Sequence, residues 1–383
     1  MYTTPPQLSV PERVRGFMAG RADVYMLTSA PGLEDVAMDE TRVKLGASPY
    51  ALMRGKAFVA AKSGFDFLRL RSADNVYRLL CVGEINTSRS AQEEINIRDF
   101  DYEACFTRGG MARGFSVRAS VAGRHGRSRF EIADAFGRAL SKKTGMIFFD
   151  GPESERADQN SNGIIESGER SRGAVSDEAT KFVELRLDVV EGFYLLSQKL
   201  TGAGFRFRGG KAFSKAALRP TVAHSLVWLT NPRGCDVFFD PFCGSGTLLC
   251  ERAEYPRAGL FGADINYAAI EAARINLVGA GAGETKLFNG DIRDIKIEAG
   301  SVSSVVTNPP WGNQIHADEI GGLYRDLMSR LKVWLGGDGR AVVLAPGGAP
   351  VAEAAQGSGM HCETLRELSL HGTLARVHSL APG

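Results

Sequence analysis

The run Thr307-Asn308-Pro309-Pro310-Trp311-Gly312 carries the most specific chemistry in this chain. Two successive prolines remove two backbone N–H donors and fix the local φ angles, leaving the Asn308 side-chain oxygen and the Pro309 carbonyl as rigid acceptors. Such a pair suits an amino group that presents two hydrogens. An exocyclic amine on a nucleobase is a poor nucleophile because its lone pair is spread into the ring. Holding both N–H bonds out of the ring plane returns that pair to nitrogen while a methyl group transfers, and no strong base is required. The expected catalytic set is therefore Asn308, Pro309, Pro310 and Trp311. The face of Trp311 is expected to hold an extruded base, because stacking contributes roughly 1–3 kcal/mol against an unstacking cost of the same order.

A second constellation, Asp240-Pro241-Phe242-Cys243-Gly244-Ser245-Gly246-Thr247, reads as a glycine-rich turn between a strand and a helix. Its glycines let the backbone pass close to a ligand. Leu249 occupies the third glycine position of a dinucleotide fingerprint, and Gly210-Lys211-Ala212 fails the P-loop pattern, so pyrophosphate binding is disfavoured. Acidic Asp240 suits a cationic ligand, and Asp264 at the end of the next strand suits two ribose hydroxyls. S-adenosylmethionine meets both demands. Asp291, closing a third strand, is placed to accept from an adenine amino group. With their neighbours, the expected cofactor-binding residues here are Asp240, Phe242, Cys243, Gly244, Ser245, Gly246, Thr247, Asp264, Ile265, Asp291, Ile292 and Asn308.

These residues need strand ends to stand on. From residue 218 onward the pattern is a helix to 229, strand 237–240, helix to 253, strand 259–264, helix 267–277, strand 285–289, strand 302–307, helix 323–334 and strand 341–345. Alternation at this spacing predicts a doubly wound parallel sheet, whose ligands sit at the carboxyl ends of the strands. The first half reads as smaller α/β modules: strand 24–29, helix 32–45, strands 57–61 and 65–70, and an amphipathic helix over 73–81. Strand 115–121, helix 130–142, strand 146–149 and strand 182–190 follow.

The chain has 383 residues, 44% hydrophobic and 23% charged, enough for two or three soluble modules. No stretch approaches the roughly 18 apolar residues of a membrane span, and a cytoplasmic location without membrane contact is expected. Six scattered cysteines form neither a disulfide framework nor a metal knuckle, and no metal is expected. The net charge of +2 conceals two acid-poor basic blocks, residues 108–143 and 201–220. Together they predict a nucleic-acid footprint that includes Arg118, Arg124, Arg127, Arg129, Lys142, Arg206 and Arg208. Residues 151–180 read as an acidic, Gly- and Ser-rich insertion.

The Asp240–Thr247 loop with the Asn308–Gly312 tetrad resembles the class I S-adenosylmethionine-dependent methyltransferases that modify exocyclic amines. The similarity extends to the subgroup with an amino-terminal THUMP domain. Residues 28–34 resemble the start of its ferredoxin-like domain, and Phe115-Ser116-Val117-Arg118 with the basic run through Phe130 resembles its THUMP strand and helix. Arg219, Pro220 and Thr221 resemble the segment that packs over the cofactor.

The resemblance implies an α/β architecture: a Rossmann-like class I methyltransferase sheet preceded by a ferredoxin-like domain and an α/β THUMP domain. The implied boundaries are 20–95 ferredoxin-like, 96–195 THUMP with insertion 151–180, 196–217 basic linker and 218–383 methyltransferase. It also implies methylation of guanosine N2 in the tRNA acceptor stem, at position six, with THUMP gripping the 3′ end and no obligate protein partner. Ribosomal RNA guanine-N2 methylation, N6-adenine methylation and a catalytically idle RNA-binding protein stay open as alternatives.

Overall fold

A computed structural model describes residues 10–18, 23–62, 64–84, 114–123, 127–149, 182–190, 192–202, 204–208, 217–311, 317–370 and 372–383. Two sheets organise them. In the amino-terminal half, α1 (Val10–Met18), β1 (Asp23–Thr28), α2 (Glu34–Leu45), β2 (Ser48–Met53), β3 (Lys56–Ala61) and β4 (Asn75–Glu84) precede β5 (Gly114–Ala122) and α3 (Arg129–Thr144). Then come β6 (Ile147–Phe148), β7 (Phe182–Val190) and β8 (Phe193–Lys199).

These strands form one eight-stranded sheet in the order β2-β3-β1-β4-β8-β7-β5-β6. Alternation along β1 sends Tyr25 and Leu27 to one face, against Ala37 and Met38 of α2, and Val24 and Met26 to the other, with Val14 of α1. α3 covers β5 and β7 through Ile132, Phe136 and Leu140. It starts on a capping box, in which Ser128 accepts from the Glu131 N–H and Glu131 accepts from the Ser128 N–H.

Residues 73–81 are a correction. Val76, Leu79 and Leu80 fit helical spacing, yet β4 is a strand paired with β1 on one side and β8 on the other. Both faces of that strand are covered, so its apolar residues run together and imitate a helical stripe. Residues 67–69 form a single 3₁₀ turn in place of the strand expected there. β8 had no separate expectation, and it joins the two modules into one sheet.

The carboxyl-terminal half contains α4 (Pro220–Leu229), β9 (Val237–Asp240), α5 (Thr247–Arg252), β10 (Gly259–Asp264), α6 (Tyr267–Gly279), β11 (Lys286–Asn289) and β12 (Val302–Thr307). It continues with α7 (Ala317–Trp334), β13 (Leu335–Pro346), α8 (Val351–Gly357), β14 (Met360–Leu370) and β15 (Thr373–Pro382). The order is β11-β10-β9-β12-β13-β15-β14, parallel through β13 and antiparallel in the terminal hairpin. Apolar clusters fill both faces. The strand order reverses between β9 and β12, which opens a crevice at their carboxyl ends.

A buried polar cluster joins the two halves. His224 on α4 lies 3.0 Å from Glu40 of α2 and 3.2 Å from Glu251 of α5, and all three side chains are fully buried. Glu40 also accepts from the Arg71 and Ser72 backbone N–H groups, and Arg71 donates two guanidinium bonds to Glu251. Burial alone raises the Glu251 carboxyl, but contact with His224 and the Arg71 charge holds it down to about 2.

Candidate active site

The crevice between β9 and β12 is a cavity of about 860 Å³. Asp240, the last residue of β9, sits at its floor, 1% exposed, and accepts from the Thr307 hydroxyl at the end of β12 (2.8 Å) and from the Phe242 N–H (3.2 Å). Gly244 and Gly246 then turn the chain at φ +51° and +80°, a region that favours glycine. A Cβ on Gly246 would stand 3.1 Å from the Cβ of Ala273, so the loop lies directly on α6. Asn276 of that helix donates to the Ser245 carbonyl (2.9 Å) and fixes the loop from outside.

Asp264 closes β10. One of its oxygens accepts the Gly244 N–H and the other the Asn266 N–H, both at 2.8 Å. Each carboxylate oxygen keeps a further lone pair for a hydroxyl donor. Beside it the Ile265 side chain is 71% exposed, an apolar face at the cavity wall. Asp291 lines the cavity after β11, where its carboxylate is held by Arg293 (2.6 and 2.9 Å) and lies below its ordinary range for that reason. Its carboxylate is thus already engaged by a guanidinium.

Among the lining residues four aspartates, Asp240, Asp264, Asp291 and Asp326, face one cation, Arg293. That balance repels a diphosphate and attracts a sulfonium or ammonium. The residues fit S-adenosylmethionine: carboxylate acceptors for ribose hydroxyls, an apolar wall for adenine and an acidic floor for positive charge.

Burial pushes the Asp240 carboxyl up to about 7, against the Thr307 and Phe242 hydrogen bonds that favour its ionised form. The ligand-free folded chain therefore holds this proton more tightly than the unfolded chain, and the stability contributed by this group falls as pH rises from about 4 through 7. A cationic ligand favours the ionised form. Near pH 6, then, S-adenosylmethionine binding should release a proton, seen as a dependence of the calorimetric heat on the buffer's ionisation enthalpy. Affinity should rise with pH up to about 7. Asp240→Asn should abolish the Asp240 share of both effects; an unchanged proton release in that variant would refute the assignment.

The tetrad follows β12 directly. Asn308 and Pro310 line the cavity, while Pro309, also expected there, is buried and is not among the lining residues. Trp311 differs from expectation. Its ring is half-buried against the apolar cluster that packs α4 and α5 on the sheet, it is not among the lining residues, and its indole N–H donates to Asn308 Oδ1 at 3.0 Å. Cys243 also lines the cavity; burial and the nearby Asp240 and Asp264 charges push its thiol up, which is contrary to a nucleophilic role.

Two further expectations are corrected. Arg219, Pro220 and Thr221 do not line the cavity. Arg219 (2.9 Å) and the Thr221 hydroxyl (2.6 Å) instead hold the two oxygens of Asp74, and Pro220 is the buried first residue of α4. The segment clamps the two halves together, and Ala217 with Leu218, just before it, reach the cavity. Arg208, expected on nucleic acid, has a side chain only 10% exposed, donates to the Phe205 and Arg71 carbonyls and lies 3.8 Å from Glu251. The block around it is acid-poor in sequence, but the fold supplies an acid from α5.

Of the remaining basic residues, Arg127, Arg129 and Lys142 are exposed. The Arg129 guanidinium lies over the exposed Phe130 ring (4.8 Å). Arg118 is half-exposed and lies 3.3 Å from Glu184, and Arg206 rests over Phe207 (4.4 Å). Arg124 lies outside the described residues. Sequence reasoning missed Gly322, Leu323 and Asp326 of α7, which close the cavity from the side. No local motif marks them, because their place depends on how α7 packs.

Residues 208–376 match the family model described as RMKL-like, methyltransferase domain. The matched span contains every residue that lines the crevice. The chain is 27% identical over 210 residues to tRNA (guanine(6)-N2)-methyltransferase of Thermus thermophilus, covering 54% of this chain and 61% of that protein. It is 23% identical over 389 positions to the protein of the same name from Archaeoglobus fulgidus, covering 92% and 91%. The matched stretches of the first curated relatives span between 40% and 61% of those proteins' lengths. The crystal structure of TrmN from Thermus thermophilus superposes with a TM-score of 0.72 at 22% identity, over 94% of this chain and all of that one. The architecture outside residues 208–376 is therefore shared with that structure as well, and the seven-stranded sheet has a Rossmann-like, doubly wound strand order.

Proposed function

We propose that this protein is an S-adenosylmethionine-dependent tRNA methyltransferase acting on the exocyclic N2 of a guanosine in the acceptor stem, at position six. The observation that carries the reading is the Asn308-Pro309-Pro310 turn at the lip of a net-acidic crevice where the sheet order reverses. S-adenosylmethionine, when bound, supplies an electrophilic methyl group. The chain's own contribution is to hold the acceptor amine: Asn308 Oδ1 and the Pro309 carbonyl take its two N–H bonds, and the proline pair keeps those acceptors from relaxing toward a planar amine. As the nitrogen bonds the methyl carbon, the carbon–sulfur bond breaks, S-adenosylhomocysteine is left and one amine proton departs to solvent, so neither acceptor needs to keep that proton.

Support for tRNA comes from the relatives, several of which are named for guanine-N2 methylation of tRNA. The exposed Arg127, Arg129 and Lys142, with Phe130, add an electrostatic and stacking surface on the amino-terminal half. We read that half as a ferredoxin-like module and a THUMP module sharing one sheet, with an acidic insertion at 151–180 whose place lies outside the described residues. Among the described residues no helix is long and apolar enough to cross a membrane. A cytoplasmic site of action fits a tRNA substrate.

Incubation with radiolabelled S-adenosylmethionine tests the reading. Label should enter an unmodified tRNA transcript and should not enter adenine-containing duplex DNA. Labelling of the DNA alone would favour the N6-adenine alternative.

A further inference from the structure

Among the described residues, the contact that the proposed chemistry leaves unexplained is the one between Trp311 and Asn308. An indole N–H donates only, so the atom of the Asn308 amide that faces it at 3.0 Å is the oxygen. The amide is thereby held in one of its two flip states. Oδ1 keeps one lone pair, and Nδ2 is turned away from the indole. A flipped amide would present an N–H donor where the acceptor should be, and two donors repel. The indole itself is anchored, since its ring packs on the apolar cluster that includes Leu248 of α5 and Val306 of β12.

We infer that Trp311 is a positioning residue, whose indole N–H fixes the amide of Asn308 so that its oxygen is the group offered to the substrate amine. This rests on the amine-methylation reading above. It differs from a stacking role in one respect: Trp311 acts only through Asn308, so its contribution should vanish when there is no amide left to orient.

Substitutions that keep a ring isolate the N–H. Trp311→Phe should lower kcat about three- to tenfold, the range set by losing one hydrogen bond, with the KM for tRNA and the affinity for S-adenosylmethionine within about twofold of wild type. In an Asn308→Ala background the same substitution should cost nothing further. In an Asn308→Asp background it should also cost little, because both carboxylate oxygens accept and no flip state needs to be chosen. A cost of equal size in all three backgrounds, or one that appears in KM, would overturn positioning in favour of stacking on the base.

A second measurement does not depend on how well the variants turn over. In ¹⁵N-indole-labelled protein, the Nε1–H resonance that disappears in Trp311→Phe should shift in Asn308→Ala, and an unmoved resonance would overturn the hydrogen bond. The two readings fail differently. A wild-type protein that transfers no methyl group to an amine removes the proposed function and the positioning role with it. An active wild type with a fully active Trp311→Phe removes the positioning role alone.

Discussion

Asn308→Ala should lower kcat for methyl transfer to tRNA by about two orders of magnitude or more, with tRNA and S-adenosylmethionine affinities little changed. The amine nitrogen is planar in the free base and becomes tetrahedral as its fourth bond forms, so a contact with Oδ1 strengthens along the reaction path. An interaction stronger in the transition state than in the ground state appears in kcat and not in KM. Two orders of magnitude correspond to about 2.7 kcal/mol, the size found when one preorganised hydrogen-bonding group is removed from a water-excluded site. Asn308 lines the cavity, its oxygen is already oriented by Trp311, and the adjoining prolines hold the backbone. Single-turnover kinetics with saturating tRNA reads the effect. Full activity in the variant would contradict the proposed grip on the amine.

Asp264→Ala should weaken S-adenosylmethionine binding about tenfold to a hundredfold, the equivalent of losing roughly 1.5–3 kcal/mol of hydrogen bonding to a charged acceptor. Two losses combine here. In the proposed role the carboxylate accepts the ribose hydroxyls, and it also receives the Gly244 and Asn266 N–H groups that shape the loop. Asp264→Asn separates them: it keeps one acceptor oxygen and the side-chain shape, so it should fall between wild type and alanine. Calorimetry on the folded variants measures both. An unchanged affinity in Asp264→Ala would remove Asp264 from the cofactor site.

Much of this site was legible because a doubly wound sheet places function at strand ends, and strand ends can be found from apolar runs followed by Gly, Pro or Asp. Asp240, Asp264, Asp291 and Asn308 each end or follow a strand of the sheet, and all four line one cavity. What depends on packing was not legible. The approach of Asp326 is set by α7, and Arg208 meets Glu251 across 43 residues of sequence. Residues 219–221 look like a cofactor segment and serve as a clamp on Asp74 because Asp74, just before β4, comes from the other half of the chain. β4 imitated a helix because both of its faces are covered, and a period-two signal survives only where one face meets water. The Trp311–Asn308 contact was not legible for a related reason: residue type suggests a ring face, and only coordinates show where the N–H points.

The methylated atom should be the exocyclic nitrogen of a guanosine, which nucleoside analysis reads out. An unmodified tRNA transcript with guanosine at position six is incubated with the protein and S-adenosylmethionine, digested completely, and separated by liquid chromatography with mass detection. N2-methylguanosine is the expected product, with none when inosine, which lacks only the 2-amino group, replaces the guanosine at position six. N6-methyladenosine as the sole product would contradict it.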